Sequence, residues 1–429
     1  MKKSARALAL EILGKCEGAD QYSNLALDTA IGRNGLEPSD RALLTVLVYG
    51  VIEKRITLDY YMTVLAKRPI KDIAPVVRNL LRLGLYQLAF MDRIPTHAAV
   101  NETVELAPKR ARGFVNAVLR AFCRLEGEIE LPSPESDPVR YLSVRYSFGE
   151  GIAELFLERF GMERAETLLA SFCPQPPLTL RVNTLRTDRD TLLSALCNAG
   201  YDAIATEGCK TGITVRGNAP VRELPGFSEG HFFVQDTASQ LCVEAVDAHA
   251  SMTVLDLCAC PGSKSFGIAL DMQNEGRVIS CDLHQNKLSL VKSGAERLGI
   301  SVIETQAGDA REERGEWRKI ADRVLCDVPC SGFGVFAKKP ELRYKDPTRS
   351  AQLPAIQRAI LDTACAYVRE GGLLIYSTCT LLPEENEGNV ERFLASHPDF
   401  SLVRSRTLTP ATDKTDGFFF AVMQRRGTV

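Results

Sequence analysis

The sequence predicts a multidomain protein with an all-helical domain, a small α+β module and a doubly wound α/β domain. The first observation is the length, because 429 residues exceed the roughly 250–300 that one hydrophobic core usually holds. The second is helical periodicity over about the first 125 residues, where strand-like alternation is absent. The third is that short apolar runs alternate with helical segments from residue 253 onward, as in a parallel sheet covered by helices.

The first domain, residues 1–130, is predicted to contain six or more helices. The basic start of the chain is interrupted by Glu11 and Lys15, which favours an amphipathic helix over a secretion signal. Apolar residues recur at helical spacing in four stretches: Ala7, Leu8, Ile12 and Leu13; Leu43, Leu44, Leu47, Val48 and Val51; Leu80, Leu81, Leu83, Leu85 and Leu88; and Phe114, Val115, Val118 and Leu119.

Charge is distributed unevenly along the chain. Residues 1–125 carry 19 Lys and Arg against 12 Asp and Glu, a net charge of +7, whereas the remainder carries 33 against 42, a net charge of −9. The whole chain has a net charge of −2. A basic first quarter favours contact with a polyanion such as RNA. A solvated helical surface explains the same charges, so both interpretations stay open at this point.

A linker with three prolines, residues 131–138, separates this domain from a mixed segment. Within residues 140–235 we predict strands at 178–182, 212–216 and 231–235 and a helix at 188–199. This alternation indicates a small α+β module.

The last domain, residues 236–429, is predicted to contain a parallel sheet. Its apolar, β-branched strands are expected at 253–257, 277–281, 323–327 and 372–377, and residues 418–423 are expected to add an antiparallel edge strand. No stretch approaches the 18 consecutive apolar residues that predict a membrane span, so we expect a cytoplasmic protein without a membrane partner.

The cysteines indicate free thiols and no metal. Thirteen of them are scattered without a paired framework, as in a reducing cytoplasm. Cys258, Cys260 and Cys281 lack the doubled two-to-four-residue spacing of zinc ligands, so no metal site is expected.

A glycine-containing loop follows the first strand of the last domain. Gly262 allows close approach of a ligand to the backbone, and Lys264 lies about where a helix begins. A phosphate-binding loop needs glycine where Cys258 stands, and the dinucleotide G-x-G-x-x-G pattern is also missing. The loop residues are therefore candidates for binding a cofactor without a phosphate grip: Cys258, Ala259, Cys260, Pro261, Gly262, Ser263 and Lys264.

Acidic residues end successive strands of the predicted sheet. Asp282, Asp309 and Asp327 all fall at the carboxyl edge, where doubly wound sheets bind ligands. A single aspartate there is more often a turn former or helix cap. Three together suit a cofactor with ribose, a base and a cationic centre, which points to S-adenosylmethionine.

Two cysteines fall at the same edge. Cys330 follows the strand that ends at Asp327, and Cys379 ends the next strand. A thiolate can add to carbon 6 of a pyrimidine and so activate its carbon 5. Most of the other eleven cysteines are interpreted as small buried hydrophobes.

These stretches resemble the motifs of the Sun family of RNA cytosine-5 methyltransferases. The resemblance is carried by Cys258–Ser265, Asp327–Gly332, Ser377–Cys379, Val234–Ser239 and Leu180–Asn183, and the whole chain is similar to bacterial members that act on 16S rRNA. Three positions depart from the usual family motifs: Ser263 for glycine, Ser265 for threonine and Val328 for alanine.

The helical domain resembles the RNA-binding NusB fold. Arg41, Val48–Gly50 and Phe114–Arg120 carry this second resemblance. It implies a NusB-like RNA-binding domain, followed by the α+β module and a Rossmann-like methyltransferase domain. The implied partner is small-subunit rRNA, and the expected state is a monomer.

The resemblance also implies the roles of the site residues. Cys379 is the nucleophile that adds to carbon 6 of cytosine, Asp327 hydrogen-bonds the cytosine edge, and Cys330 helps to remove the carbon 5 proton. S-adenosylmethionine is held by the Cys258–Lys264 loop with Asp282 and Asp309, and Asp327 borders it. DNA cytosine-5 methyltransferases instead use a cysteine after proline, a pattern that nominates Cys330 as the nucleophile.

Alternatives remain for the function and for one basic segment. An RNA-binding adaptor needs neither Cys330 nor Cys379, and a methyltransferase acting on nitrogen or protein needs no thiolate. Lys338, Lys339 and Arg343 either contact phosphates or belong to a solvated surface.

Overall fold

The computed structural model describes residues 3–16, 23–173, 176–217 and 219–427. The chain forms two compact units. One comprises Met1–Cys173 together with Lys339–Pro347, and the other comprises Pro174–Lys338 together with Thr348–Val429. The first two residues of the basic start lie outside the described residues.

The described part of the first unit is helical. Among the described residues up to position 124 there are seven α-helices, which confirms the prediction of six or more. Proline occupies the first turn of the helices Pro38–Glu53, Pro75–Phe90 and Pro138–Tyr146, where a missing N–H costs nothing. The helices are α1 (Ala5–Cys16), α2 (Ser23–Asn34), α3 (Pro38–Glu53), α4 (Arg55–Ala66), α5 (Pro75–Phe90), α6 (Thr96–Leu106), α7 (Arg112–Arg124), α8 (Pro138–Tyr146), α9 (Glu150–Phe160) and α10 (Met162–Ser171).

The segment Lys339–Pro347 is built into this helical unit. Arg343 is 0% exposed and donates hydrogen bonds to the carbonyl oxygens of Tyr146 and Phe172. The hydroxyl of Tyr344 donates to the carbonyl oxygen of Ile52. Both sequence interpretations of Arg343, a phosphate contact and a solvated surface charge, are therefore wrong, because the side chain is buried and two of its guanidinium nitrogens bond to carbonyl oxygens.

The second unit contains two sheets, of which the smaller is antiparallel. Its strands are β1 (Leu178–Val182), β2 (Ala203–Ala205), β3 (Gly212–Val215) and β4 (Phe232–Val234), arranged in the order β2-β3-β1-β4. The helix α11 (Arg189–Asn198) lies between β1 and β2 in the chain. The strands β1, β3 and β4 and the helix α11 fall close to the predicted segments, whereas the short strand β2 was not predicted.

The larger sheet has seven strands in the order β10-β11-β9-β8-β5-β6-β7, with buried apolar clusters on both faces. The five strands from β9 to β7 in that order are parallel. They are β5 (Thr253–Asp256), β6 (Arg277–Asp282), β7 (Ile303–Ala307), β8 (Ala321–Asp327) and β9 (Val368–Thr378), followed along the chain by β10 (Phe400–Leu408) and β11 (Phe418–Arg425). The helices are α12 (Thr237–Val246), α13 (Ser263–Asp271), α14 (Leu288–Leu298), α15 (Leu353–Ala364), α16 (Glu387–Ser396) and α17 (Pro410–Asp413).

One strand position corrects the sequence prediction. The run at 418–423 is antiparallel as expected, but β11 lies between β9 and β10 and is not an edge strand. The edge is β10, whose middle residues are exposed. Since an edge strand tolerates charges such as Arg404 and Arg406, β10 lacks the apolar pattern by which strands were predicted.

Over the described ranges, no helix combines the length and the apolar character needed to cross a membrane.

Candidate active site

The two predicted catalytic cysteines lie in contact at the carboxyl edge of the large sheet. Strands β8 and β9 are parallel neighbours with Asp327 opposite Ser377, so the residues that follow them emerge side by side. The sulfur atoms of Cys330 and Cys379 are 3.1 Å apart, and the backbone N–H of Cys379 donates to the Cys330 sulfur at 3.3 Å. The fold thus brings together two thiols that are 49 residues apart in the chain.

The environment favours the neutral form of Cys330. The hydrogen bond with Cys379 raises the pKa of the Cys330 thiol well above its ordinary value, and burial and the charges of Cys379 and Glu385 act in the same direction. Cys330 is therefore expected to remain a thiol at neutral pH.

Asp327 is paired with a lysine from the glycine loop. The ammonium of Lys264 lies 2.6 Å from Asp327 Oδ2, while the hydroxyl of Ser377 donates to Oδ1 at 2.8 Å. Burial lowers the pKa of Lys264, but Asp327, Cys242 and Asp256 together outweigh that effect and leave the pKa raised. The loop is thereby connected to the residues at the end of β8.

The glycine loop is held where β5 gives way to α13. Gly262 has φ 114° and precedes α13, and a Cβ added there would lie 2.6 Å from the ring of Phe266. The amide of Ala259 donates to the carbonyl oxygen of Cys281, and Gln235 donates to that of Ser263. The predicted start of the helix near Lys264 is confirmed, because α13 begins at Ser263.

The structure adds a buried carboxyl that sequence reasoning missed. Asp256 is 0% exposed at the end of β5, and its Oδ2 accepts a hydrogen bond from Ser265, which accepts one from Ser280. Asp256 Oδ1 has no hydrogen-bond partner among the described residues. Burial raises the pKa of Asp256 to about 7, against the hydrogen bond from Ser265. Ser265 has a hydroxyl, like the threonine usual in the family, and this hydroxyl donates the hydrogen bond to Asp256.

The other two predicted cofactor carboxylates end neighbouring strands. Asp282 ends β6, where its Oδ1 accepts the backbone N–H of His284 at 2.9 Å. Asp309 follows β7, and both of its carboxylate oxygens accept hydrogen bonds from the guanidinium of Arg311, which lowers the pKa of Asp309. A small cavity beside Asp309 is lined by Leu257 and Trp317.

The cysteines and the acidic side chains show no metal centre. All thirteen cysteines are free thiols. In the portion of the chain that the structure describes, no three His, Cys, Asp or Glu side chains are grouped so that they could hold a metal ion.

Lys338, which the sequence offered as a phosphate contact or a solvated charge, is bound within its own unit. Its ammonium lies 2.6 Å from a carboxylate oxygen of Asp236 and 2.7 Å from one of Asp416. Two carboxylates neutralise it, so it is a poor candidate for a phosphate contact. Lys339 is exposed.

Family models match three stretches of the chain in order. The NusB family matches residues 3–124, the ferredoxin-like domain of RsmF/B-like methyltransferases matches residues 152–222, and the 16S rRNA methyltransferase RsmB/F family matches residues 243–424. The resemblances to a NusB-like domain and to an RNA methyltransferase are thus confirmed.

Solved structures support the same fold. The crystal structure of PH0851 aligns with a TM-score of 0.80 at 24% sequence identity, covering 99% of this chain and 100% of that one. The structure of NSun6 from Pyrococcus horikoshii with SFG aligns with a TM-score of 0.58 at 22% identity, covering 64% of this chain and 97% of that one. At these identities the likeness concerns the fold alone.

Curated relatives extend the match over nearly the whole chain. The ribosomal RNA small subunit methyltransferase B of Klebsiella pneumoniae is 34% identical, and 90% of each chain is covered. The probable ribosomal RNA small subunit methyltransferase B of Bacillus subtilis is 39% identical, covering 99% of this chain and 100% of that relative. Identity of this extent shows that the protein belongs to the RsmB/F family of 16S rRNA methyltransferases.

Proposed function

We propose that this protein transfers a methyl group from S-adenosylmethionine to carbon 5 of a cytosine in 16S rRNA, through a covalent bond between Cys379 and the base. The observation that carries the proposal is the contact between Cys330 and Cys379 at 3.1 Å, next to the strand that ends at Asp327. Nitrogen is methylated by direct attack of its lone pair, so a pair of thiols at the site favours a carbon target.

Cys379 begins the reaction as a thiolate that adds to carbon 6 of the cytosine. Asp327 accepts a hydrogen bond from the protonated edge of the ring and stabilises the charge that develops there. S-adenosylmethionine supplies the methyl group that carbon 5 receives. Cys330 loses its proton to water once Cys379 is bonded to carbon 6, and its thiolate then accepts the proton of carbon 5. Elimination of Cys379 as a thiolate restores the aromatic ring.

The site requires an unstacked base. The two thiols are half-buried between loops, and a cytosine within a stacked helix cannot place carbon 6 against a sulfur atom there. The substrate is therefore a cytosine in a loop or in incompletely assembled rRNA. Action on rRNA in the cytoplasm, as a monomer, is part of the same proposal.

The residues around the glycine loop fit S-adenosylmethionine. Gly262 has a φ of 114°, which a residue with a side chain rarely adopts, so the loop takes a path that needs glycine, and it offers no phosphate grip. Asp282 is suited to accept hydrogen bonds from ribose hydroxyls. Asp309 can do so only after part of its contact with Arg311 is released, because that guanidinium engages both of its oxygens.

Replacing Asp282 by alanine is expected to weaken S-adenosylmethionine binding by about 1.5–3 kcal/mol, the scale of hydrogen bonds to a charged group. Calorimetry on the folded variant measures the loss, and RNA affinity should stay near that of the parent. Asp202→Ala is the matched control, since Asp202 is an exposed aspartate of the same unit that directly precedes β2 of the smaller sheet. Equal cofactor affinity of Asp282→Ala and the parent would remove Asp282 from the site.

A basic groove on α6 and α7 is a candidate contact for the rRNA backbone. It has a volume of about 640 Å³, and the residues that line it include His97, Asn101, Arg120 and Arg124 but no carboxylate. Lys109 and Arg110 are exposed between the two helices. We assign rRNA affinity to residues 1–130 on this basis, with 140–235 as the α+β module and 236–429 as the methyltransferase domain.

Replacing Arg120 and Arg124 together by alanine is expected to weaken RNA binding and to flatten its salt dependence. Each phosphate contact to a single strand contributes about 0.7 to the log–log salt slope, so the slope should fall by about 1.4. Filter binding over a salt series measures both quantities. The control is Arg159→Ala, an exposed arginine on α9 of the same unit, and an equal slope for the double variant and this control would contradict the assignment.

The proposed function itself is tested by the product. We expect 16S rRNA incubated with the protein and S-adenosylmethionine to yield 5-methylcytosine on nucleoside mass analysis. The substrate for this assay is rRNA from a strain that lacks the protein. A methylated nitrogen in that rRNA after incubation, or no modified nucleoside at all, would overturn the proposal.

A further inference from the structure

A buried carboxylate holds the loop that carries Cys330. Glu385 is 1% exposed, and its Oε2 accepts the backbone N–H of Ser331 at 3.0 Å and the side-chain amide of Gln357 at 2.7 Å. The same Gln357 amide, on α15, donates to the carbonyl oxygen of Pro329 at 3.0 Å. The residues immediately before and after Cys330 are thus both attached to Glu385, one directly and one through Gln357.

The loop after Cys379 is attached to the same cluster. The hydroxyl of Ser331 donates to Thr380 Oγ1 at 2.8 Å, and Asn386 donates to the carbonyl oxygen of Thr380 at 3.0 Å. Since Glu385 lies between Thr380 and the start of α16 in the chain, one polar cluster fixes the backbone on both sides of the sulfur contact.

The charge of Glu385 is not needed for this attachment. Oε2 accepts both hydrogen bonds, whereas Oε1 is buried and has no hydrogen-bond partner among the residues that the structure describes. An amide oxygen accepts the same two bonds without the cost of burying a charge. A carboxylate at this position therefore suggests that the negative charge itself has a use.

That charge acts on Cys330. The hydrogen bond with Cys379 contributes most to raising the pKa of the Cys330 thiol, followed by burial and by the charges of Cys379 and of Glu385. Tyr376 on β9 is another ionisable group that interacts with Cys330, and Asp327, with its partner Lys264, ends β8 three residues before Cys330. Gln357, which α15 contributes, is neutral.

We propose that Glu385 is a positioning residue for the two thiols: it fixes Cys330 against Cys379 and makes Cys379 the sulfur that ionises first. Two adjacent thiols share one ionisation, and a buried carboxylate beside Cys330 places the negative charge on Cys379. Cys330 gives up its proton to water only after Cys379 has bonded to carbon 6, and its thiolate is then the base for the carbon 5 proton. This assignment rests on the proposed function for its catalytic meaning.

Alkylation tests the assignment without RNA or cofactor, so its failure is distinct from a failure of the proposed function. The full-length protein is treated with iodoacetamide between pH 6 and 9, and labelling of the Cys330 and Cys379 peptides is followed by mass spectrometry. We expect Cys379 to react first in the parent. In Glu385→Gln, the ratio of Cys330 to Cys379 labelling should rise about tenfold or more, the effect of removing a like charge at short range.

Two further variants separate charge from position. Glu385→Asp keeps the charge on a shorter side chain, so it should keep the parent labelling ratio while covalent adduct formation with RNA slows. The control Glu387→Gln removes an exposed carboxylate two residues away, one that accepts a hydrogen bond from Thr407, and should match the parent in both readouts.

The ratio of labels decides the outcome. The proposal is overturned if folded Glu385→Gln keeps the parent ratio of Cys330 to Cys379 labelling. It is also overturned if the control Glu387→Gln changes that ratio as much as Glu385→Gln does. If Glu385→Gln does not fold, Glu385→Asp decides instead, because a raised Cys330 ratio in that variant would show that the retained charge does not select the sulfur.

Discussion

Replacing Cys330 by alanine is expected to leave the protein bound covalently to its RNA. Cys379 can still add to carbon 6 and carbon 5 can still be methylated, but the proton of carbon 5 is not removed and elimination fails. Replacing Cys379 by alanine removes the attacking sulfur, so both turnover and adduct should disappear. Denaturing gels of protein incubated with radiolabelled rRNA and S-adenosylmethionine measure the adduct directly.

The contact between the sulfur atoms makes this test necessary. At 3.1 Å apart, either thiol lies close to any base that the other contacts, so proximity does not assign the roles. An adduct with Cys379→Ala and none with Cys330→Ala would exchange the two roles, as the pattern of DNA cytosine-5 methyltransferases suggests. If neither variant forms an adduct, the covalent mechanism loses its support. Cys197→Ala is a suitable control, because Cys197 is an exposed thiol on α11, beside the smaller sheet.

The buried strands could be predicted because burial on both faces leaves an apolar run. Strands β5, β6 and β8 fall close to the predicted segments, and β9 is longer but contains the predicted one. The two outermost strands, β7 and β10, left no such run. Residues 303–307 read Ile-Glu-Thr-Gln-Ala, and β10 carries arginines, since one side of an edge strand faces solvent. The prediction that β11 is an edge strand was consequently wrong, because β10 was not predicted.

The location of the site could be predicted from the buried strands, since the carboxyl ends of parallel strands lie at one edge of the sheet. Knowing that Asp327 and Cys379 ended predicted strands was enough to expect them close together. Their partners were harder to predict. Lys264 was placed in the cofactor loop, and its 2.6 Å contact with Asp327 depends on how the loop after β5 folds over β8.

The sequence predictions missed mainly the charged side chains that are buried. Residues 383–387 read Pro-Glu-Glu-Asn-Glu, which is typical of a solvated turn, yet Glu385 is 1% exposed. Arg343 stands among charged residues and is 0% exposed. Charged side chains are seldom buried, so a sequence pattern favours the surface for them. Only the tertiary contacts, with Ser331 and Gln357 in one case and with two carbonyl oxygens in the other, reveal why these two are inside.

Replacing Asp327 by asparagine is expected to lower kcat by about 10²–10³-fold, the effect of losing one charge-stabilising hydrogen bond in a transition state. It should also destabilise the protein by about 3 kcal/mol, because the buried ammonium of Lys264 loses its counter-charge. Thermal or urea unfolding measures the second effect. Lys264→Met should destabilise the protein as well, since it leaves Asp327 without its ion pair.

The double variant Lys264→Met/Asp327→Asn distinguishes a catalytic carboxylate from a purely structural ion pair. Removing both charges leaves neither group unpaired, so the double variant should be more stable than the sum of the single losses predicts. Its turnover should nevertheless stay as low as that of Asp327→Asn, because an amide cannot supply the negative charge that stabilises the protonated ring. Recovery of turnover along with stability in the double variant would mean that Asp327 serves only to pair with Lys264, and the cytosine would then need another acceptor.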